Sequence, residues 1–189
     1  MKTIPYLTNP RLYARVVQKI RQYFDNNIAW LDYSYPIAIV GYIIDKDEEE
    51  HTYPMVYSGD GSTRHYDIRP DSNVGAYCFF EMREPTSMED VEEGTIYNLS
   101  VIFHARLDLC YPAKANYDYT AELIAEVIGH LKNINLNARV INYDINPETV
   151  FEKYSDLEQI TTQWAMKPGT AFKINFQIHD MEDCYSELS

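Results

Sequence analysis

The amino-acid sequence predicts an α+β fold, in which a mostly antiparallel β-sheet carries two main amphipathic helices packed on one face. Two observations indicate this class: segments with strand patterns outnumber those with helical patterns, and short turns join most of the strands. The chain has 189 residues, 46% hydrophobic and 24% charged, which suits one globular core. We therefore expect a single domain over residues 1–179 and a mobile acidic tail over residues 180–189.

The first predicted element is an amphipathic helix that follows Asn9 and Pro10. Asn is a good N-cap, and Pro fits the first helical position because the N–H that it lacks would have no partner there. Apolar residues recur at helical spacing from Leu12 to Phe24, and the basic residues lie mostly off that stripe.

The next segments predict strands. Residues 36–44 (PIAIVGYII) form a continuous apolar run, which is typical of a strand buried on both faces. Residues 53–58 and 64–69 are short strand candidates on either side of a turn rich in Gly and Asp. Residues 76–83 predict another strand, rich in aromatic side chains.

Residues 95–109 show the clearest strand pattern. From Tyr97 onward, odd-numbered positions are apolar and even-numbered positions are polar, with Ile102 as the exception. This alternation predicts a half-buried, antiparallel strand whose polar side chains, His104 among them, face solvent.

The last part of the chain predicts two helices and two strands. A second amphipathic helix is expected over residues 117–132 and a strand over residues 138–145. Residues 147–154 predict a short helix that opens at an Asn-Pro pair. Residues 171–179 alternate, which places the apolar side chains in the core and Lys173 with the other polar side chains in solvent.

Composition and charge exclude several classes of protein. No apolar run approaches the ~20 residues of a membrane span, and residues 1–8 lack the apolar region of a secretory signal. The three cysteines lie far apart without a C-x-x-C pair, so neither a disulfide framework nor a zinc site is indicated and a reducing compartment is the default. The net charge of −13 is opposite in sign to that of most proteins that bind the phosphate backbone of nucleic acids, so we expect no specific nucleic-acid binding.

No catalytic motif stands out in the sequence. The chain lacks a G-x-S-x-G nucleophile elbow, and the acidic run 45–50 lacks the glycine and distal glutamate of a calcium loop. We expect a non-enzymatic protein without metal or cofactor. The enzyme alternative requires a histidine beside a carboxylate or a thiol, for example His104 near Cys78 across neighbouring strands.

Tyrosine is the unusual feature of the composition, with 17 residues. Tyr and Trp favour interfaces because they offer a large contact area together with a polar group. Ordinary core and rim packing in a β-rich protein accounts for the same excess. An aromatic-rich glycan- or peptide-binding module therefore stands as the alternative function.

One stretch of the chain resembles a known group of proteins. Residues 97–106 (YNLSVIFHAR), followed after a short break by residues 118–131 (DYTAELIAEVIGHL), resemble the strand-then-helix core of tailed-phage tail-terminator and head–tail connector proteins. The amphipathic helix LYARVVQKIRQYF and the hairpins behind it fit the same order, over about residues 8–145. The family plan has no place for residues 146–189.

This resemblance implies a virion structural protein that forms a ring with copies of itself at the portal/tail junction, through which DNA passes. The implied partners are portal, adaptor or tail-tube subunits, without a membrane, and the implied location is the virion after assembly in the host cytoplasm. An acidic lining repels phosphates, and a basic helix can meet the acidic face of the next subunit. The expected subunit contacts are Arg11, Arg15, Lys19, Arg21, Trp30, Tyr33 and Tyr35, and the expected acidic lining or docking residues are Asp45, Asp47, Glu48, Glu49, Glu50, Glu89, Asp90, Glu92 and Glu93.

Overall fold

The α+β prediction is confirmed by a computed structural model of the chain. The structure describes residues 6–7, 10, 12–44, 48–57, 65–68, 74–83, 95–112, 118–157 and 169–180. The expected tail lies outside these ranges, except for Asp180, which ends the last strand. The elements, in chain order, are α1 (Leu12–Asn27), β1 (Tyr33–Ile44), β2 (Glu50–Tyr57), β3 (His65–Asp67), β4 (Ala76–Met82), β5 (Thr95–Arg106), α2 (Leu107–Cys110), α3 (Thr120–Asn133), β6 (Ala138–Asp144), α4 (Pro147–Val150) and β7 (Gly169–Asp180).

The strands form one sheet in the order β3-β2-β1-β4-β5-β7-β6. Five of the six neighbouring pairs are antiparallel, and β1 with β4 is the parallel pair. The longest ladder joins β5 to β7, from the pair Thr95–Asp180 to the pair Arg106–Gly169. The sheet is therefore mostly antiparallel, as the alternating patterns predict.

Helices α1 and α3 pack on the same face of the sheet, also as predicted. Each buries an apolar stripe at helical spacing, which in α1 ends at Phe24 and in α3 ends at Leu131. Beneath them, Phe103 of β5 stacks against Phe172 of β7 with ring centroids 4.9 Å apart. This shared core fixes both helices on the sheet, and replacing one such Phe with Ala costs about 3–5 kcal/mol.

The opposite face of the sheet is covered by residues 147–157, here named the cover segment, which contains α4 and a helical turn at 155–157. Asn146 caps α4, because its side-chain oxygen accepts a hydrogen bond from the backbone N–H of Glu148. Tyr154 packs edge-on against Phe79 of β4 with ring centroids 5.5 Å apart. Thr52 of β2 and Ser155 hold the segment in place, since each backbone N–H donates to the other's hydroxyl at 2.9–3.0 Å.

Residues 95–106 form the predicted antiparallel strand, but the prediction that this strand is half-buried is wrong. Strand β5 ends at Arg106, and its polar positions Ser100 and His104 are buried along with its apolar ones. The prediction that Lys173 of β7 faces solvent is also wrong, because this side chain is buried. The cover segment shields this face of the sheet, and the neighbouring strand β7 provides a partner for Ser100, whose hydroxyl donates to Asn175 Oδ1 at 2.6 Å.

Residues 36–44 lie in a strand, β1, as predicted, but the prediction that both faces of this run are buried is wrong as well. Within β1, Ala38 and Gly41 are buried in this run, whereas Ile39 and Tyr42–Ile44 are exposed. The ladder between β1 and β4 ends at the pair Ile37–Phe80, beyond which the described part of β1 pairs with β2 only. β1 therefore lies between β2 and β4 as far as Ile37, and its last residues, Tyr42–Ile44, form the exposed end of the β1–β2 hairpin.

Candidate functional site

The histidine and thiol proposed for an enzyme lie on opposite faces of the sheet. His104 faces the cover segment and stands opposite Tyr77 in the β4–β5 ladder, whereas Cys78 is buried in the core beneath α1 and α3. Burial, and then the positive charge of Arg106, lower the pKa of His104 to about 4. Burial raises the pKa of the Cys78 thiol well above its usual value. The two groups do not form a catalytic pair.

Two of the expected subunit-contact residues, Arg21 and Trp30, are buried and form hydrogen bonds within the chain. Arg21 is buried, its Nε donates to the carbonyl of Ser34 at 2.9 Å, and its guanidinium lies 4.9 Å from the centroid of the Tyr6 ring. Trp30 is buried, and its Nε1 donates to Glu126 Oε2 at 3.0 Å. Neither side chain is available to a neighbouring copy.

The other expected contact residues are less buried. Tyr33 and Tyr35 are half-buried on β1, with ring centroids 6.1 Å apart. Arg15 and Lys19 are half-buried and have contacts within the chain, while Arg11 lies outside the described residues. Of the basic side chains of this helix that the structure describes, Arg15 and Lys19 are thus partly exposed and Arg21 is buried.

The expected acidic residues are exposed where the structure describes them. Glu48, Glu49 and Glu50 are exposed and lead into β2 at the end of the β1–β2 hairpin. The rest lie outside the described residues: Asp45, Asp47, Glu89, Asp90, Glu92 and Glu93.

Six of the eleven large apolar side chains that are exposed in the described residues lie on this hairpin and at the start of α1, and this group is here named the hairpin patch. Within it, Tyr42 is 63% exposed and Ile44 is 71% exposed, although both belong to a strand. Tyr42 and Ile43, being adjacent in a strand, point to opposite faces, so the hairpin end is bare on both sides. The patch consists of Tyr13, Ile39, Tyr42, Ile43, Ile44 and Tyr57.

A cavity of about 250 Å³ lies beside the hairpin patch, between α1 and β1. Its walls include Val17 and Ile37 from the core side, together with Tyr13, Ile39 and Tyr57 from the patch. Apolar side chains thus continue from the surface into a concave site, the kind of site that receives an apolar side chain of a partner.

A second exposed apolar group lies at the other end of the sheet and is here named the β6 patch. It consists of Ile141, Tyr143 and Ile145, of which Tyr143 is 55% and Ile145 is 57% exposed. Of the large apolar side chains exposed in the described residues, only Met82 and Leu109 fall outside the two patches. Most of these exposed side chains therefore lie at two places in the sheet, the end of the hairpin and the edge strand β6.

A buried charge network lies where β1 and β4 diverge, in the wall of a second cavity of about 360 Å³. Glu81 is buried, and its Oε2 lies 3.4 Å from Lys173 Nζ and 3.8 Å from Lys153 Nζ. Lys173 also donates to Glu152 Oε1 at 3.0 Å. Two carboxylates balance two ammonium groups, so the network holds the cover segment on the sheet without a net charge.

The described residues hold no group of three or more His, Cys, Asp and Glu side chains that could bind a metal ion. None of the helices in the described ranges has both the length and the hydrophobicity of a membrane span. Comparison of the chain with models of protein families, with curated proteins and with solved structures found no match.

The sequence carries a signal for the hairpin patch, but the same signal also predicts a buried strand. The run 36–44 is apolar at both odd and even positions, which suits a strand covered on both faces. The same pattern suits a strand end that a partner covers, and the acidic residues that follow it directly place it beside solvent. The β6 patch gave no comparable signal, because its three apolar residues are separated by polar ones.

Proposed function

We propose that the chain is a non-enzymatic structural subunit that assembles with copies of itself into a ring of the tail-terminator or head–tail connector kind. The observation that carries this proposal is the presence of two separate exposed apolar patches on one sheet, the hairpin patch and the β6 patch. Soluble monomers rarely expose clustered apolar side chains, and such patches mark interaction sites.

The physical basis is the free energy of burying these patches. Removing apolar surface from water contributes about 25 cal/mol for each Å². In the free subunit the six side chains of the hairpin patch are at least one-third exposed, so much of their apolar surface remains in water and does not stabilise the protein. A contact with another molecule that covers these side chains gains the free energy of their burial.

The resemblance of residues 97–106 and 118–131 to phage neck proteins supports a ring as the form of assembly. These stretches correspond to β5, which lies in the middle of the sheet, and to α3, which packs on it. A net charge of −13 suits a ring through which duplex DNA slides, because negative charge repels the phosphates of a passing duplex. Portal, adaptor or tail-tube subunits are the proposed partners on either side of the ring.

Electron microscopy of negatively stained wild-type protein tests this proposal. We expect closed rings of uniform diameter with a central opening, and no retention of duplex DNA by the rings at low salt. Particles of single-subunit size at every protein concentration would contradict the proposal, and so would open filaments.

The cavity of about 250 Å³ beside the hairpin patch favours a second candidate function, an aromatic-rich peptide-binding module. In that case the cavity receives one apolar side chain of an extended peptide. A displayed peptide library separates the two functions: a binding module selects a consensus peptide whose binding is lost in Tyr57→Ala, whereas a ring subunit selects none.

A further inference from the structure

We propose that the second cavity, of about 360 Å³, is a binding site for a small apolar molecule that carries a primary amine. The ammonium group of this ligand lies at Glu81, and its apolar part lies between β1 and β4. The inference goes beyond the proposed assembly and does not depend on it, because the cavity lies within one subunit.

The cavity occupies an opening in the sheet. Pairing between β1 and β4 ends at Ile37 and Phe80, and the described part of β1 beyond this point pairs with β2 only. The cavity wall includes Ile37 from the core beneath α1 and α3, together with Ala38 and Val40 from the core beneath the cover segment. Small-molecule sites span about 300–1,000 Å³ and are lined mainly by apolar side chains, which is also true of this opening.

Glu81 is the acidic side chain of the cavity wall among the described residues, and it is 4% exposed. Its Oε2 is shielded from water and has no hydrogen-bond partner in the described part of the chain. The ammonium groups of Lys173 and Lys153 lie 3.4 Å and 3.8 Å from this oxygen, beyond the roughly 2.7–3.2 Å of an N–H···O hydrogen bond. A donor that reaches this buried oxygen therefore stabilises it.

Lys153 is the neighbour that a ligand ammonium can replace. Its side chain also lines the cavity and is 43% exposed, so its ammonium group can move into water with little loss. Lys173, in contrast, is 7% exposed and donates to Glu152 Oε1 at 3.0 Å. Once the ligand has taken the place of Lys153 beside Glu81, two carboxylates are still balanced by two cations.

Charge selects an amine over other apolar ligands. Glu81 and the net charge of −13 both repel a carboxylate. An alcohol can donate to Glu81 Oε2, but it brings no charge to replace that of Lys153. An ammonium group supplies both the donor and the charge, and a charge-assisted hydrogen bond is stronger than a neutral one.

Three ligands with the same phenethyl group test the proposal. Phenethylamine, phenethyl alcohol and hydrocinnamate carry an ammonium, a hydroxyl and a carboxylate group at neutral pH. Saturation-transfer difference NMR on the full chain measures their affinities, whether the protein is a monomer or a ring. We expect the amine to bind about tenfold more tightly than the alcohol, and the carboxylate not to bind. Equal affinities of the three, or tightest binding of the carboxylate, would overturn the proposal.

Three variants and a matched control locate the site. Lys153→Ala removes the competing ammonium group and should tighten amine binding about threefold, whereas damage to the site would weaken it. Ile39→Lys places a cation in the cavity wall and should abolish amine binding. Its control is Ile141→Lys, which should bind the amine like the wild type, because Ile141 lies on β6 outside the cavity and is 48% exposed, as Ile39 is. Glu81→Gln should abolish the preference for the amine over the alcohol.

Circular dichroism identifies the folded variants. If Glu81→Gln does not fold, the opposite effects of Lys153→Ala and Ile39→Lys decide, and unchanged amine binding in these two variants would overturn the proposal. An acetylated tripeptide with a central lysine carries the same ammonium group on a protein side chain. Tighter binding of this tripeptide than of phenethylamine would identify a partner protein as the occupant and would overturn the assignment to a small molecule.

Discussion

His104 stacks on Tyr77 inside the sheet, with ring centroids 5.2 Å apart and an angle of 17° between the ring planes. Both side chains are buried, and they stand opposite each other in the β4–β5 ladder. Burial, and then the charge of Arg106, lower the pKa of His104 from 6.5 to about 4. The folded protein therefore holds this imidazole in its neutral form.

The stability of the protein should depend on pH through His104. A lowered pKa means that the unfolded chain binds the proton more tightly, so stability is complete above pH 6.5 and falls as the pH drops from 6.5 through 4. The loss amounts to about 3 kcal/mol, since each pKa unit corresponds to about 1.4 kcal/mol. Urea unfolding of wild type and His104→Phe at several pH values measures it: the variant should lose this part of the pH dependence. Identical slopes for the two proteins would show that folding does not lower the pKa of His104.

The hydroxyl of Tyr77 should be dispensable for folding. It is buried, and no hydrogen-bond partner for it occurs in the described part of the chain. A buried polar group without a partner costs about 1–3 kcal/mol, so Tyr77→Phe should raise the free energy of unfolding by about 1 kcal/mol. Chemical denaturation measures this change, with Tyr154→Phe as the matched control because its hydroxyl is hydrogen-bonded to Glu81. A destabilised Tyr77→Phe would mean that the hydroxyl has a partner.

Removal of Lys173 should destabilise the protein through its partner Glu81. Lys173→Met leaves Glu81 buried, and Lys153 at 3.8 Å is then the one cation within 4 Å of it among the described residues. An uncompensated buried charge costs about 3–5 kcal/mol, and we expect a loss near the lower figure because Lys153 stays. The double variant Lys173→Met with Glu81→Gln should recover part of that loss. A double-mutant cycle measured by urea unfolding checks this, and additive losses would exclude a direct coupling between the two side chains.

The parts of the fold that could be predicted from sequence are those that local patterns specify. The apolar stripe that ends at Phe24 predicts α1, and the alternation around Phe172 predicts β7, because helical and strand periodicity are properties of neighbouring residues. The burial of His104 and Lys173 could not be predicted in this way. It depends on the cover segment, which follows β5 by some 40 residues and lies across its polar face.

The candidate site could be predicted only in part. The apolar run 36–44 and the acidic residues that follow it are visible in the sequence. The sequence does not show, however, that the pairing between β1 and β4 ends at Ile37. The sequence predicts a surface position for Arg21 and Trp30, because basic and amphipathic side chains usually lie at the surface. Their partners Ser34 and Glu126, which hold them inside the subunit, are set by tertiary packing.

The native mass of the wild-type chain, measured by light scattering over a range of concentrations, tests the central claim most directly. The account predicts one mass that is a whole multiple of 22.1 kDa and that stays constant as concentration rises, because a closed ring has no free surface at which to grow. A mass of 22.1 kDa at every concentration would contradict self-assembly, and a mass that rises continuously would contradict closure.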